Sequence, residues 1–155
     1  MKTSEIYLLT AFVCSACDGD IAPEELILIK DWSDKSNLFD NINVETKLNE
    51  YIESINMYGN RFIHEFLLLL EESEPSIEEQ GKIIKIAIEM IEADGKILYS
   101  EVKFFKKLRS CLNITDVEIL AILPDKEDYL LPDNKTSDYI FDEEIKFAEI
   151  SLGIK

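Results

Sequence analysis

The sequence predicts an all-α protein, and three observations carry that reading. Apolar residues recur at spacings of three and four, 155 residues hold only four Pro and five Gly, and one helix-turn-helix pattern occurs twice. Hydrophobic residues make up 46% of the chain, enough to form a core and too many for wholesale disorder. The length suits one domain.

The first predicted helix covers 4–17. Its stripe is Leu9, Phe12, Val13, Ala16 and Cys17, with Ile6 one turn earlier. Asp18-Gly19 stops it, because Gly tolerates the left-handed dihedrals of a helix end. Pro23 then fits the first turn of a second helix, where its missing N–H costs nothing, and Glu24 and Glu25 suit the positive helix end. Leu26, Ile27, Ile29 and Trp32 are the expected packing residues there. The stretch 33–43 reads as a polar break anchored by Leu38 and Phe39.

A third helix is expected over 44–57, with Leu48, Tyr51, Ile52, Ile55 and Tyr58 marking one buried face; Gly59-Asn60 interrupts it. Phe62, Ile63, Phe66, Leu67, Leu69 and Leu70 give a fourth helix with an apolar arc wide enough for a central position. After a linker holding Pro75, Ser76 caps a helix over 76–93, with Glu78 and Glu79 in its first turn and Ile84, Ala87, Ile88 and Ile91 as its stripe. Asp94-Gly95 ends it. Ser100 is the expected cap of a helix over 101–112. Thr115 and Glu118 form a capping box for a last short helix that Pro124 terminates.

Residues 125–155 carry nine acids and four lysines, yet Tyr129, Tyr139, Phe141 and Phe147 make the segment too apolar for a simple acidic tail. An extension over 124–155, packed on the helical body and holding a helix over 142–152, is expected. Its aromatics have two readings: anchors for a basic partner, or side chains docked on the chain's own core.

Residues 8–28 overlay 84–104 at a shift of 76. Asp18 meets Asp94, Gly19 meets Gly95, Ile21 meets Ile97 and Glu25 meets Glu101, so both copies read D-G-x-I-x-x-x-E after an apolar helix. Each shared residue has a mechanical reading. Gly reverses the chain, Ile turns inward, and Glu faces the open N–H groups of the next helix. The functional reading is that Asp18, Glu25, Asp94 and Glu101 converge on a divalent cation, calcium or magnesium. A standard EF-hand does not fit, since its first and third ligand positions would fall on Cys14 and Ala16, or on Met90 and Glu92.

The signatures CDGDIAPEE at 17–25 and ADGKILYSE at 93–101 resemble the TerB-like family of tellurite-resistance proteins, which includes a domain of a DnaJ-like co-chaperone. LNITDVEILAIL at 112–123 is similar to the closing helices of such domains. The resemblance covers roughly 4–123, so 1–123 is expected to be a compact TerB-like domain with two related halves. It implies that Asp18, Glu25, Asp94 and Glu101 are the matching acids of a cation or ligand site. The second copy carries Lys96 and Ser100 where the first has Asp20 and Glu24, which makes such a site unsymmetrical.

Sixteen basic against 32 acidic residues leave a net charge of −16. That charge, with Arg61 and Arg109 as the only arginines, argues against nucleic acid and anionic membranes as partners and favours a basic protein or a divalent cation. No apolar run exceeds the five residues of 66–70, far short of the ~20 residues of a membrane helix. Three cysteines and no secretory leader suggest the cytoplasm. Cys14 and Cys17 form a CxxC at the C-terminal end of a helix, the wrong end for dipole activation, so buried apolar thiols are expected. His64 lacks a nucleophile motif around it, and no Gly-rich phosphate loop is present. The leading expectation is a non-enzymatic interaction or scaffold domain; the alternative is a cation-responsive one.

Overall fold

A computed structural model of the chain describes residues 3–16, 21–35, 38–39, 42–93, 95 and 99–130. The described residues form seven α-helices and no strand: α1 (Thr3–Ala16), α2 (Pro23–Lys35), α3 (Val44–Tyr58), α4 (Asn60–Ser73), α5 (Ile77–Glu92), α6 (Tyr99–Ser110) and α7 (Asp116–Ile122). A 3-10 turn, Glu127–Leu130, follows. The protein is all-α.

Its centre is the pair α1 and α5. Every residue of α1 from Ile6 through Ala16 is buried, and so are Ile83, Ile84, Ile86, Ala87, Ile88, Met90 and Ile91 of α5. Two polar contacts show that the pair runs side by side in one direction. Thr3 Oγ1 donates to Glu79 Oε2 at 2.9 Å, and a turn further on the Lys82 ammonium lies 6.0 Å from the Tyr7 ring centroid. The hydroxyls that α1 buries remain satisfied: Thr10 donates to the Ile6 carbonyl and Ser15 to the Ala11 carbonyl. Ser76 and Glu79 close the expected capping box at the start of α5, and Thr115 and Glu118 close the one at α7.

Helices α3 and α4 are joined through Gly59 alone, at φ 57°. They fold against each other over α1, where Phe12 meets Tyr51 at 5.4 Å and Phe62 at 5.8 Å between ring centroids. Helix α7 packs on α5 so closely that a β-carbon on Gly81 would stand 2.5 Å from Ile122 Cδ1.

Several expectations are corrected. The fourth helix packs its expected arc, with Ile63, Phe66, Leu67 and Leu70 buried and Phe62 and Leu69 partly buried against the core, but the central pair is α1 and α5. Ile27 and Tyr58, expected to pack, are 57% and 51% exposed. Helix α2 continues to Lys35, through the first part of the expected break. Helix α6 starts at Tyr99, which places Ser100 inside its first turn rather than at its cap. Phe39 is buried as the anchor of its loop. Of the 124–155 extension, the described part packs on the body, with Tyr129 buried and its ring 5.3 Å from Phe105. The helix expected over 142–152 lies outside the described residues.

Candidate functional site

The two D-G turns occupy equivalent places in the chain. α5 ends at Glu92 and α2 starts at Pro23, while the described residues of α1 run to Ala16 and those of α6 begin at Tyr99. Glu25 is the third residue of α2, and Glu101 is the third described residue of α6. They are 5% and 4% exposed, an unusual depth for carboxylates and one that requires partners. Glu25 Oε1 accepts from the Ala22 N–H at 2.7 Å, the reciprocal half of a capping box. Its mechanical role is thus as expected, and Ile21 is buried beside it. Gly95 has φ 77°, the left-handed conformation expected of the turn. Asp18, Gly19, Asp94 and Ile97 lie outside the described residues.

The Cys14 thiol links the two copies. Burial pushes its pKa up, and the charges of Glu25 and then Glu101 push it further in the same direction. Equivalent glutamates from both turns thus act on one buried point at the C-terminal end of α1. Met90, the counterpart of Cys14 in α5, is fully buried too. Cys14 stays a protonated, apolar thiol in this setting, as expected of it; Cys17 lies outside the described residues. Cys111, half-buried after α6, is also held above the ordinary thiol range, by burial first and then by Glu71.

Glu92, the last residue of α5, anchors a second polar group that sequence reasoning missed. Lys126 Nζ donates to both of its oxygens at 2.8 and 2.9 Å, and the Tyr129 hydroxyl donates to Oε2 at 3.0 Å. The Tyr129 phenol is raised by burial, by that hydrogen bond, and by the charges of Glu92 and Glu101. The segment after α7 is in this way fastened beside the second turn. Lys103 was also missed. Its Nζ is buried, has no hydrogen-bond partner among the described residues, and stands 5.1 Å from the Tyr99 ring centroid, which faces it with π density. The one sequence signal was the repeat itself, which sets Lys103 against the apolar Ile27.

His64 is exposed on α4. Among the described residues, no three His, Cys, Asp or Glu side chains come together in an arrangement able to hold a metal ion. No helix among them is long and apolar enough to cross a membrane. The chain matches no family model, no curated protein and no solved structure. What the described residues define is an all-α protein.

Proposed function

We propose that the chain is a non-enzymatic, cytoplasmic interaction or scaffold domain of TerB-like type, built from a duplicated helix-turn-helix unit. The observation that supports the reading is the burial of Glu25 and Glu101, the matching acids of the two D-G-x-I-x-x-x-E sequences, in α2 and α6. Carboxylates at that position stabilise the framework by meeting open N–H groups, so the turns serve architecture and leave the outer surfaces to make contacts. The α3–α4 hairpin offers such groups: Met57 and Tyr58 at its corner and Leu68 further along α4 are each more than half exposed, with the Arg61 guanidinium 5.8 Å from the Tyr58 ring centroid. Exposed apolar groups rimmed by charge are the usual mark of a contact site.

Affinity recovery from native extract tests this, comparing the wild type with Met57→Ser/Leu68→Ser. Loss of the same protein species in the variant, with an unchanged melting temperature, supports the reading. Identical recoveries by both proteins sink it for this hairpin.

The action of both Glu25 and Glu101 on Cys14 favours a second reading, a calcium- or magnesium-responsive domain using those two acids with Asp18 and Asp94. Thermal melting with Ca²⁺, Mg²⁺ or chelator at matched ionic strength separates the two. A divalent-specific rise lost in Asp94→Ala/Glu101→Gln supports the cation reading; a rise indifferent to ion identity is screening of the −16 charge and refutes it.

A further inference from the structure

A hollow of about 450 Å³ opens where three helices meet. Tyr7 of α1, Trp32 of α2, Leu38 beyond the end of α2 and Ile86 of α5 supply its apolar lining. Proteins hold small ligands in spaces of this size, lined mainly by apolar and aromatic groups with a few polar ones to orient the occupant. Two rings among four apolar side chains favour a flat, aromatic occupant.

The charged lining comes from α5 alone, as Lys82, Lys85 and Glu89. Lys82 and Lys85 are three residues apart, so their stems leave the helix as neighbours, about 5–6 Å apart at the β-carbons. The Lys82 ammonium stands 6.0 Å from the centroid of the Tyr7 ring, which itself lines the hollow. Neither lysine has an ion-pair partner among the described residues, although the chain holds 32 acids against 16 bases. A lysine stem is long and rotatable, so each ammonium can turn onto an anion in the hollow without first breaking an ion pair.

The net charge of −16 opposes any anion at a distance. At physiological salt the Debye length is about 8 Å, so a bound carboxylate answers chiefly to the charges that line the hollow. Two of those are positive and one is negative. One negative charge on the occupant therefore gains, whereas a second meets Glu89, partly buried four residues after Lys85. A phosphate ester or a dicarboxylate is disfavoured on that ground.

We infer that this hollow is a binding site for a small aromatic monocarboxylate, its ring against Trp32 and Tyr7 and its carboxylate on Lys82 and Lys85.

Trp32 is the only tryptophan, so the indole N–H of ¹⁵N-labelled full-length protein gives one NMR signal that reports on the hollow. Three probes separate ring from charge: 2-naphthoate, its uncharged amide 2-naphthamide, and acetate. 2-Naphthoate shifts the signal saturably, 2-naphthamide binds about tenfold more weakly, and acetate leaves the signal where it is. Lys82→Gln/Lys85→Gln lowers the affinity for 2-naphthoate to that for the amide and leaves the amide unaffected. Lys30→Gln/Lys35→Gln, which removes the same charge from α2, keeps both affinities. Glu89→Gln strengthens 2-naphthoate binding severalfold. Equal affinities of wild type for 2-naphthoate and 2-naphthamide overturn the inference, and so does the absence of a saturable shift at millimolar 2-naphthoate. Equal losses in the two lysine variants overturn it as well, since they would reduce the effect to net charge. Binding no stronger in Glu89→Gln overturns the selectivity for a single carboxylate.

Discussion

Tyr51 is packed with Phe12 and Phe62, but its hydroxyl is buried with no hydrogen-bond partner among the described residues. Burying an unpaired hydroxyl costs free energy that the ring contacts do not recover. Tyr51→Phe keeps the ring and removes the liability, so urea denaturation at neutral pH should show a gain of up to about 1 kcal/mol. A loss would mean that the hydroxyl has a water partner worth keeping. Gly95 poses the opposite case. Its φ of 77° suits glycine, yet an added β-carbon would meet nothing within 4 Å. The penalty for a side chain is therefore purely conformational, roughly 1–2 kcal/mol for Gly95→Val. Gly95→Asn should cost clearly less, because Asn enters the left-handed region more readily. Equal losses for Val and Asn, or a loss no larger than that of Glu53→Val on the exposed face of α3, would remove the conformational requirement.

Gln80, 3% exposed in α5, ties three chain segments together. Its Oε1 accepts from the Asn113 and Ile114 N–H groups at 2.8 Å each, and its Nε2 donates to the Pro75 carbonyl at 2.8 Å. The loop entering α7 thus borrows an acceptor from another helix. Gln80→Leu leaves the buried Ile114 N–H unpaired and takes the acceptor from the exposed Asn113 N–H, and denaturation should show a loss of about 1–3 kcal/mol. Gln80→Glu keeps the acceptor and should lose less. This staple was illegible in the sequence because its partners lie 33 and 34 residues away. What was legible was local: Ser76 with Glu79 and Thr115 with Glu118 bond within one turn, so type and spacing suffice. The misplaced cap at Ser100 shows the limit of that local logic. A good capping residue was on hand, but the repeat already equated Tyr99 with Pro23, the first residue of α2. Which helix is central was equally hidden. The arc of α4 is as apolar as many core helices, and only the packing of α1 against α5 decides the matter. At the turns, Glu25 could be placed from sequence because its partner is three residues away, whereas the reach of Glu25 and Glu101 to Cys14 depends on how the helices meet.

Across the whole molecule, buried phenols set how the fold responds to alkali. Burial, then the charges of Glu79 and Glu78, pushes Tyr7 up to about 12; burial, then Glu5 and Glu50, pushes Tyr51 up to about 12. Tyr129 is raised as well. A phenol whose folded pKa is raised contributes stability in full below its unfolded pKa, near 10, and loses it as pH climbs toward the folded value. Above pH 10 the unfolded chain therefore binds fewer protons than the native one, and stability must fall. Each such proton contributes a slope of about 1.4 kcal/mol per pH unit. Urea melts at stepped pH between 10 and 12 should show a steep fall for the wild type. Tyr7→Phe/Tyr51→Phe should show a fall shallower by the slope of two protons. Added NaCl separates this from the growing repulsion of an already anionic surface: screening raises every curve without flattening it, because it does not change which phenols the fold holds protonated. If the double variant falls as steeply as the wild type, the alkaline limit belongs to surface charge and the buried tyrosines do not set it.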